Sequence, residues 1–160
     1  ENWLAEYRIA EDRVIRYPQI AYGVRCAALG ALAVFRATGK VKYARLAGLL
    51  ASWLTGNNPA RHPMYDPSTG RGFDGINSPD DINRNAGAES TIEALRTLLE
   101  IQAISEARVF LNARFLDPAG ERAAGEWNAR QVRKIRVPGH GRWKLVYIPE
   151  KEDFQIVREK

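Results

Sequence analysis

The segment that decides the fold reads Gly56-Asn57-Asn58-Pro59, then Met64-Tyr65-Asp66-Pro67-Ser68-Thr69-Gly70-Arg71-Gly72-Phe73-Asp74-Gly75-Ile76-Asn77, then Asn83-Arg84-Asn85-Ala86-Gly87-Ala88-Glu89-Ser90-Thr91. Most of it has neither helical nor strand periodicity. It is dense in Gly, Pro, Asn and Asp, the residues that fix turns. A loop of about 30 residues inside a compact domain is uncommon, and such loops are more often functional than idle. Apolar helices are expected on both sides of it, which is the layout of a site carried on loops above a rigid scaffold.

Working outward, a helix is expected from Pro18 to Thr38, stopped by Gly39. It is apolar on most sides, and only Arg25 and Arg36 charge its middle. Such a helix is expected to be buried on most sides. A second helix is expected from Val41 to Thr55, ending at Gly56, with Tyr43, Ala47, Leu50 and Leu54 as its buried stripe. The short Gly39-Lys40 connection makes the two an antiparallel hairpin. One helix buried all round beside an amphipathic partner reads as the inner and outer helices of a toroid. A third helix is expected from Ala86 to Ile101 and another helical piece from Glu106 to Phe115. Arg13 to Tyr17 looks extended. Beyond Trp127 the pattern turns β-like over Gln131–Val137, Trp143–Ile148 and Phe154–Val157. The expected fold class is therefore mainly α, antiparallel helical hairpins with a small C-terminal β segment. The expected division is residues 1–118, helical, and residues 119–160, a short β-rich tail.

The 160 residues suit one domain, or one domain with an appendage. No apolar run reaches the roughly 18 residues of a membrane span. Neither a signal peptide nor an initiator Met opens the chain, so a processed chain or a piece of a longer one is expected. The single cysteine, Cys26, excludes an internal disulfide and is expected to be a buried small hydrophobe. Its use favours a reducing compartment, taken as cytoplasmic. The net charge of +5 is uneven: residues 119–160 hold ten Lys/Arg against six Asp/Glu, and residues 1–118 hold fourteen against thirteen. The basic tail permits contact with nucleic acid, but solvated strand faces explain it more simply, and nucleic acid is disfavoured as a partner.

The chemistry is expected in the central segment. Its candidate groups are Asp66, Arg71, Asp74, Asp80, Asp81, Asn85 and Glu89, with Trp53, Tyr65 and Phe73 as exposed aromatics. Hydroxyls take bidentate hydrogen bonds and aromatic faces cover apolar ring faces, so this set suits a sugar. Paired carboxylates also act as acid and base across a glycosidic bond. Each residue has a structural alternative that the sequence leaves open. Asp66 and Asp74 sit in turn signals, Asn85 or Ser90 is placed to cap the third helix, and Arg71 is placed to pair with a carboxylate. In the first turn of that helix Glu89 is favoured in its ionised form, which suits a base or ligand-binding role. Asp81 to Ile92 fails the spacing of a calcium loop. Two histidines and one cysteine give no zinc set without carboxylates. Gly70-Arg71-Gly72 lacks the strand and helix of a nucleotide fingerprint. No metal and no cofactor are expected.

The blocks Met64–Asn77 and Asn83–Thr91 resemble the C-terminal part of six-hairpin glycosidase-like (α/α)6 domains of the prokaryotic type, some of which are appended to glycosyltransferases. The resemblance spans about Pro18 to Leu111. Gly56-Asn57-Asn58-Pro59 is also similar to the Gly-Asn-Asn-Pro loop of family-nine endoglucanases, which adds Asn58 to the substrate-binding candidates. The similarity to endoglucanases ends there, and no catalytic role is carried over from them. The resemblance implies part of an (α/α)6 toroid, whose partner would be the missing N-terminal part of the toroid or a second copy of the chain. It implies a carbohydrate-active domain of glycoside-hydrolase type acting on oligo- or polysaccharide. Asp66, Asp74 and Glu89 are then the candidate catalytic acids, and Arg71, Asn85, Asn58, Tyr65, Phe73 and Trp53 the substrate-binding residues. The alternative is a non-catalytic sugar-binding or scaffolding helical module beside another enzyme, such as a glycosyltransferase.

Overall fold

The computed structural model describes residues 6–8, 13–116 and 131–159. Strands β1 (Glu6–Arg8) and β2 (Arg13–Ile15) form an antiparallel ribbon. Strand β3 (Gln19–Ile20) leads into helix α1 (Ala21–Thr38). Gly39 ends α1 with φ 66°, the left-handed conformation that glycine adopts without a Cβ clash, and its N–H returns to the Phe35 carbonyl. Helix α2 (Val41–Ala51) turns back antiparallel and tightens into a 3-10 turn at Ser52–Thr55.

The central segment then forms two small sheets. Strands β4 (Tyr65–Asp66) and β5 (Arg71–Gly72) pair with each other. Strands β6 (Gly75–Ser78) and β7 (Asp81–Asn83) join β3 in the order β3-β6-β7, all antiparallel. Helix α3 (Ala88–Gln102) follows and lies beside α1. The ion pairs Arg25–Glu93 at 3.0 Å and Arg36–Glu100 at 2.6 Å bridge the two helices. Position numbers rise together in both pairs, so α1 and α3 run in the same direction. A four-residue helix, α4 (Ser105–Arg108), leads to β8 (Arg114–Phe115). Strands β9 (Gln131–Val137), β10 (Gly141–Ile148) and β11 (Asp153–Arg158) complete a four-stranded antiparallel sheet, ordered β11-β10-β9-β8.

Two cores share helix α2. Ala44, Ala47, Leu50 and Ala51 pack with Val24, Ala28, Leu32, Leu98 and Ile101, beneath Trp53, Met64 and Ile76. Leu49 turns the other way and packs with Phe110, Ile135, Val137 and Ile156 of the helix–sheet core. Gly48 allows that seam to close, because a Cβ there would stand 1.9 Å from the Ala107 carbonyl oxygen. At the rim, Lys42 pairs with Asp153, Tyr43 meets Phe154 edge-on, and the Arg45 guanidinium lies 4.9 Å from the Trp143 ring.

The expectation of a mainly α chain with only a small C-terminal β segment is corrected. The architecture is mixed, with four α-helices and eleven strands in antiparallel sheets among the described residues, eight of the strands only two to four residues long. The physical reason lies in length. Strands of two to four residues do not repeat often enough to show a period of two, and their partners lie far away in sequence. Gln19 pairs with Ile76, for instance. The helical piece expected at Glu106–Phe115 is also corrected: only Ser105–Arg108 is α-helical, and Arg114–Phe115 pairs with β9 as the edge of the sheet.

Candidate functional site

A cleft of about 270 Å³ opens where the central segment meets the starts of two helices. Ile20, Ala21 and Tyr22 line it from the β3–α1 junction, Asp74 and Asn83 from the segment, and Glu89 and Ser90 from the first turn of α3. Backbone contacts hold these pieces together. The Ala21 N–H donates to the Asp74 carbonyl at 3.0 Å, and the Asp74 N–H donates to the Asn85 carbonyl at 2.9 Å. Two glycines make the approach possible. A Cβ on Gly75 would lie 2.4 Å from the Gln19 carbonyl oxygen, and one on Gly72 would lie 2.7 Å from that of Ser90.

Two of the three acids singled out in the sequence, Asp74 and Glu89, therefore share one cleft. Asp74 is half-buried and Glu89 is exposed. Glu89 sits two residues past Gly87, which caps α3 with an extended backbone, and so lies in the first turn of that helix. The Asn83 Oδ1 accepts from the Asn85 N–H at 3.1 Å. Tyr22 brings an exposed phenol, and its hydrogen bond with the Cys26 thiol one turn along α1 raises its pKa above the ordinary tyrosine value. Two carboxylates, an amide and a phenol beside the exposed Ile20 offer hydrogen bonds to a polyol and an aromatic surface for one ring face, while the buried Ser90 hydroxyl donates to the Gly87 carbonyl at 3.2 Å.

Asp66 lies elsewhere, in the turn between β4 and β5. It accepts from the Ser68 N–H at 2.9 Å, the Ser68 hydroxyl at 2.7 Å and the Thr69 hydroxyl at 2.8 Å. The two hydroxyls and that N–H lower its pKa to about 2. Arg71 on β5 is exposed, and Asn85 is exposed with its carbonyl given to Asp74. Tyr65 and Phe73 are half-buried against the helical core. Phe73 also carries the Arg84 guanidinium 5.5 Å from its ring centre and the His62 ring at 6.3 Å.

Trp53 and Asn58 are inside the protein. Trp53, expected exposed, is buried, and its Nε1–H donates to the Gln19 Oε1 at 2.8 Å. Asn58 is 1% exposed; its Nδ2 donates to the Trp53 and His62 carbonyls at 2.8 and 2.7 Å, and its Oδ1 accepts from the His62 N–H. Its amide thus closes a turn. Cys26, expected buried, is exposed, one turn along α1 from the exposed Tyr22.

Sequence reasoning did not assign Tyr22, Asn83 or Ser90 to the site. Ser90 sits beside Glu89 in a capping signal, whereas Tyr22 lies far upstream of Asp74 and arrives only through the β3–β6 pairing. Among the described residues, no group of three His, Cys, Asp or Glu is placed to hold a metal ion, and no helix is long and apolar enough to cross a membrane. No known family model matches the chain, and no curated protein matches it.

Proposed function

We propose that the chain is a carbohydrate-active domain of glycoside-hydrolase type, with the cleft at Asp74 and Glu89 as its sugar site. The observation that carries this reading is the convergence of those two carboxylates beside Tyr22 and Asn83. The resemblance of the Met64–Asn77 and Asn83–Thr91 blocks to six-hairpin glycosidases supports it. Glu89, in the first turn of α3, acts as the base or hydroxyl ligand, and Asp74 is its partner across the scissile bond. Asn83 and Tyr22 orient the sugar ring. Arg71 and Asn85 are exposed but stand outside the residues that line the cleft, so no role in sugar binding is kept for them.

The domain works against a neighbour. Helix α1 leaves Tyr22 and Val34 in water, and α3 leaves Ile92, Leu95 and Leu99, the last 66% exposed. Each large apolar side chain left in water forfeits about 1.5–3 kcal/mol of burial. Further helices of a longer enzyme, or a second copy of the chain, would cover this surface. A reducing, cytoplasmic setting suits the exposed thiol of Cys26.

The test is turnover and affinity of Asp74→Asn and Glu89→Gln on a panel of neutral oligosaccharides. Turnover lost at least about a hundredfold with affinity retained is expected for acid–base groups. Unchanged turnover in both variants removes their catalytic roles. Affinity lost without any turnover in the parent makes the domain a sugar-binding module instead, and affinity unchanged as well removes the site.

A further inference from the structure

The four-stranded sheet has one face against α2 and the residues around Phe110, and an opposite face that is exposed at its turn end, at Arg136 and Arg142. Ile135, Val137 and Ile156 turn inward. Strand alternation then turns Val132, Lys134 and Arg136 outward on β9, and Arg142, Lys144 and Val146 outward on β10, with Val146 buried and Arg136 and Arg142 exposed. The register sets Arg136 directly opposite Arg142, and Lys134 directly opposite Lys144. Arg114 of β8 also stands opposite Arg136. Its own guanidinium is bound to the Thr55 carbonyl and hydroxyl.

Like charges directly opposite each other destabilise an antiparallel pair. Here two such pairs follow one another; Lys134 has an interaction partner of its own, and Arg136 and Arg142 are exposed. The whole hairpin, residues 131–148, holds five Lys/Arg and no Asp/Glu. Lys144 is neutralised by Glu159 at 3.1 Å. The acids Glu150, Glu152 and Asp153 sit at the other end of β10, and Asp153 is tied to Lys42. Six residue steps along the strand separate Ile148 from Arg142, about 20 Å. Positive charge is therefore segregated at the turn end of the sheet, around Arg136 and Arg142, whose side chains are exposed.

We propose that this end of the open sheet face docks an acidic polysaccharide, one bearing carboxylates along its chain. Guanidinium groups take carboxylates in bidentate pairs, and a flat face without a pocket suits an extended polymer. Nucleic acid fits less well. The sheet's aromatic residues are turned the other way: Trp143 packs edge-on against Phe110, and Phe115 and Phe154 join the same inner core. Bases therefore find no stacking platform of the kind that single-strand binders use. The cations of the two pairs also fall short of the roughly six to ten phosphate contacts typical of duplex binders. The choice of a sugar polymer rests on the proposed function; the cationic face stands on the register and charge alone.

The test is binding of polygalacturonate, a neutral galactan and a short DNA duplex to the full chain and to Arg136→Gln/Arg142→Gln. Polygalacturonate affinity is expected to fall about tenfold or more in the double variant, and roughly tenfold to a hundredfold between about 50 and 200 mM salt. The double variant is expected to melt no lower than the parent, since it loses a like-charge pair. No binding of polygalacturonate overturns the proposal. So does equal binding by the double variant, or duplex DNA bound as tightly as polygalacturonate. Retained turnover of neutral oligosaccharides alongside such a failure leaves the cleft reading intact. Polygalacturonate bound by the face in a protein without any sugar turnover sinks the enzyme reading instead.

Discussion

Residues 52–64 and residues 66–89 share one vocabulary of Asn, Gly, Pro and polar turns, and they differ in where their polar groups point. In the first stretch the groups point inward. Asn57 is buried, donating to the Ser52 hydroxyl and accepting from the Phe115 N–H. Asn58 holds three backbone groups of its own turn, and Trp53 fills the core. In the second stretch Asp74, Asn83 and Glu89 face an open cleft. Buried amides must be satisfied by the protein, so the closed half has no capacity left for a ligand. The open half keeps its carboxylates in water, where a ligand can reach them. Composition alone does not separate a turn that holds the fold from one that presents chemistry.

The largest effect is expected at Asn58→Ala. The His62 carbonyl and N–H lose their side-chain partner in a buried turn, and the Trp53 carbonyl keeps only the Gly56 N–H, at a cost of about 3 kcal/mol. Urea denaturation measures it. A loss under about 0.5 kcal/mol, the range of a plain surface change, would break the distinction between the two halves.

Gly72→Ala comes next, at the seam where β5 meets α3. Its Cβ would stand 2.7 Å from the Ser90 carbonyl oxygen and 2.8 Å from the Ala94 Cβ. Overpacking of this kind costs about 1–3 kcal/mol, and it should push the first turn of α3 away from the cleft. The sharper readout is sugar affinity, which should fall even where the protein remains folded. Full retention of both stability and affinity would mean that the seam does not position Glu89.

The smallest effect belongs to Asp66, exposed in its own turn. Its folded pKa of about 2 lies below the ordinary 3.8. A depressed carboxylate contributes stability that is present above its unfolded pKa and lost as pH falls through its folded one. The advantage of the parent over Asp66→Asn should therefore be present at neutral pH and shrink as pH falls from about 4 through 2. Denaturation midpoints of the two proteins across that range check it, and a gap that widens toward acid would show that Asp66 pairs differently. Retained sugar turnover in Asp66→Asn would place this acid with the structural group.

Much of the helical scaffold was legible. The α1–α2 hairpin follows from an apolar run, Gly39 and a two-residue connection, and Gly39 does adopt the left-handed cap. Helix α3 spans Ala88–Gln102 against an expected Ala86–Ile101. The three long C-terminal strands were visible because runs such as Gln131–Val137 are long enough to show alternation. The sheets of the central segment were not, since Gln19↔Ile76 and Tyr65↔Gly72 are set by folding rather than by local pattern. The same gap explains the site. Asp74 and Glu89 were named from residue type, while Tyr22 arrives through a strand pairing that no short window contains. Trp53 misled because an indole just before a polar loop looks available, whereas its N–H reaches back to Gln19.

The exposure of Cys26 has a practical side. The chain has one cysteine, and it stands one helical turn from Tyr22 on the cleft rim. A thiol-reactive fluorophore would therefore attach at a single place, with no engineering, close enough to the cleft for its emission to report occupancy in real time. The same thiol could anchor the molecule on a gold or maleimide surface, held beside its cleft and with the basic turn of the sheet free to meet a polymer in flow.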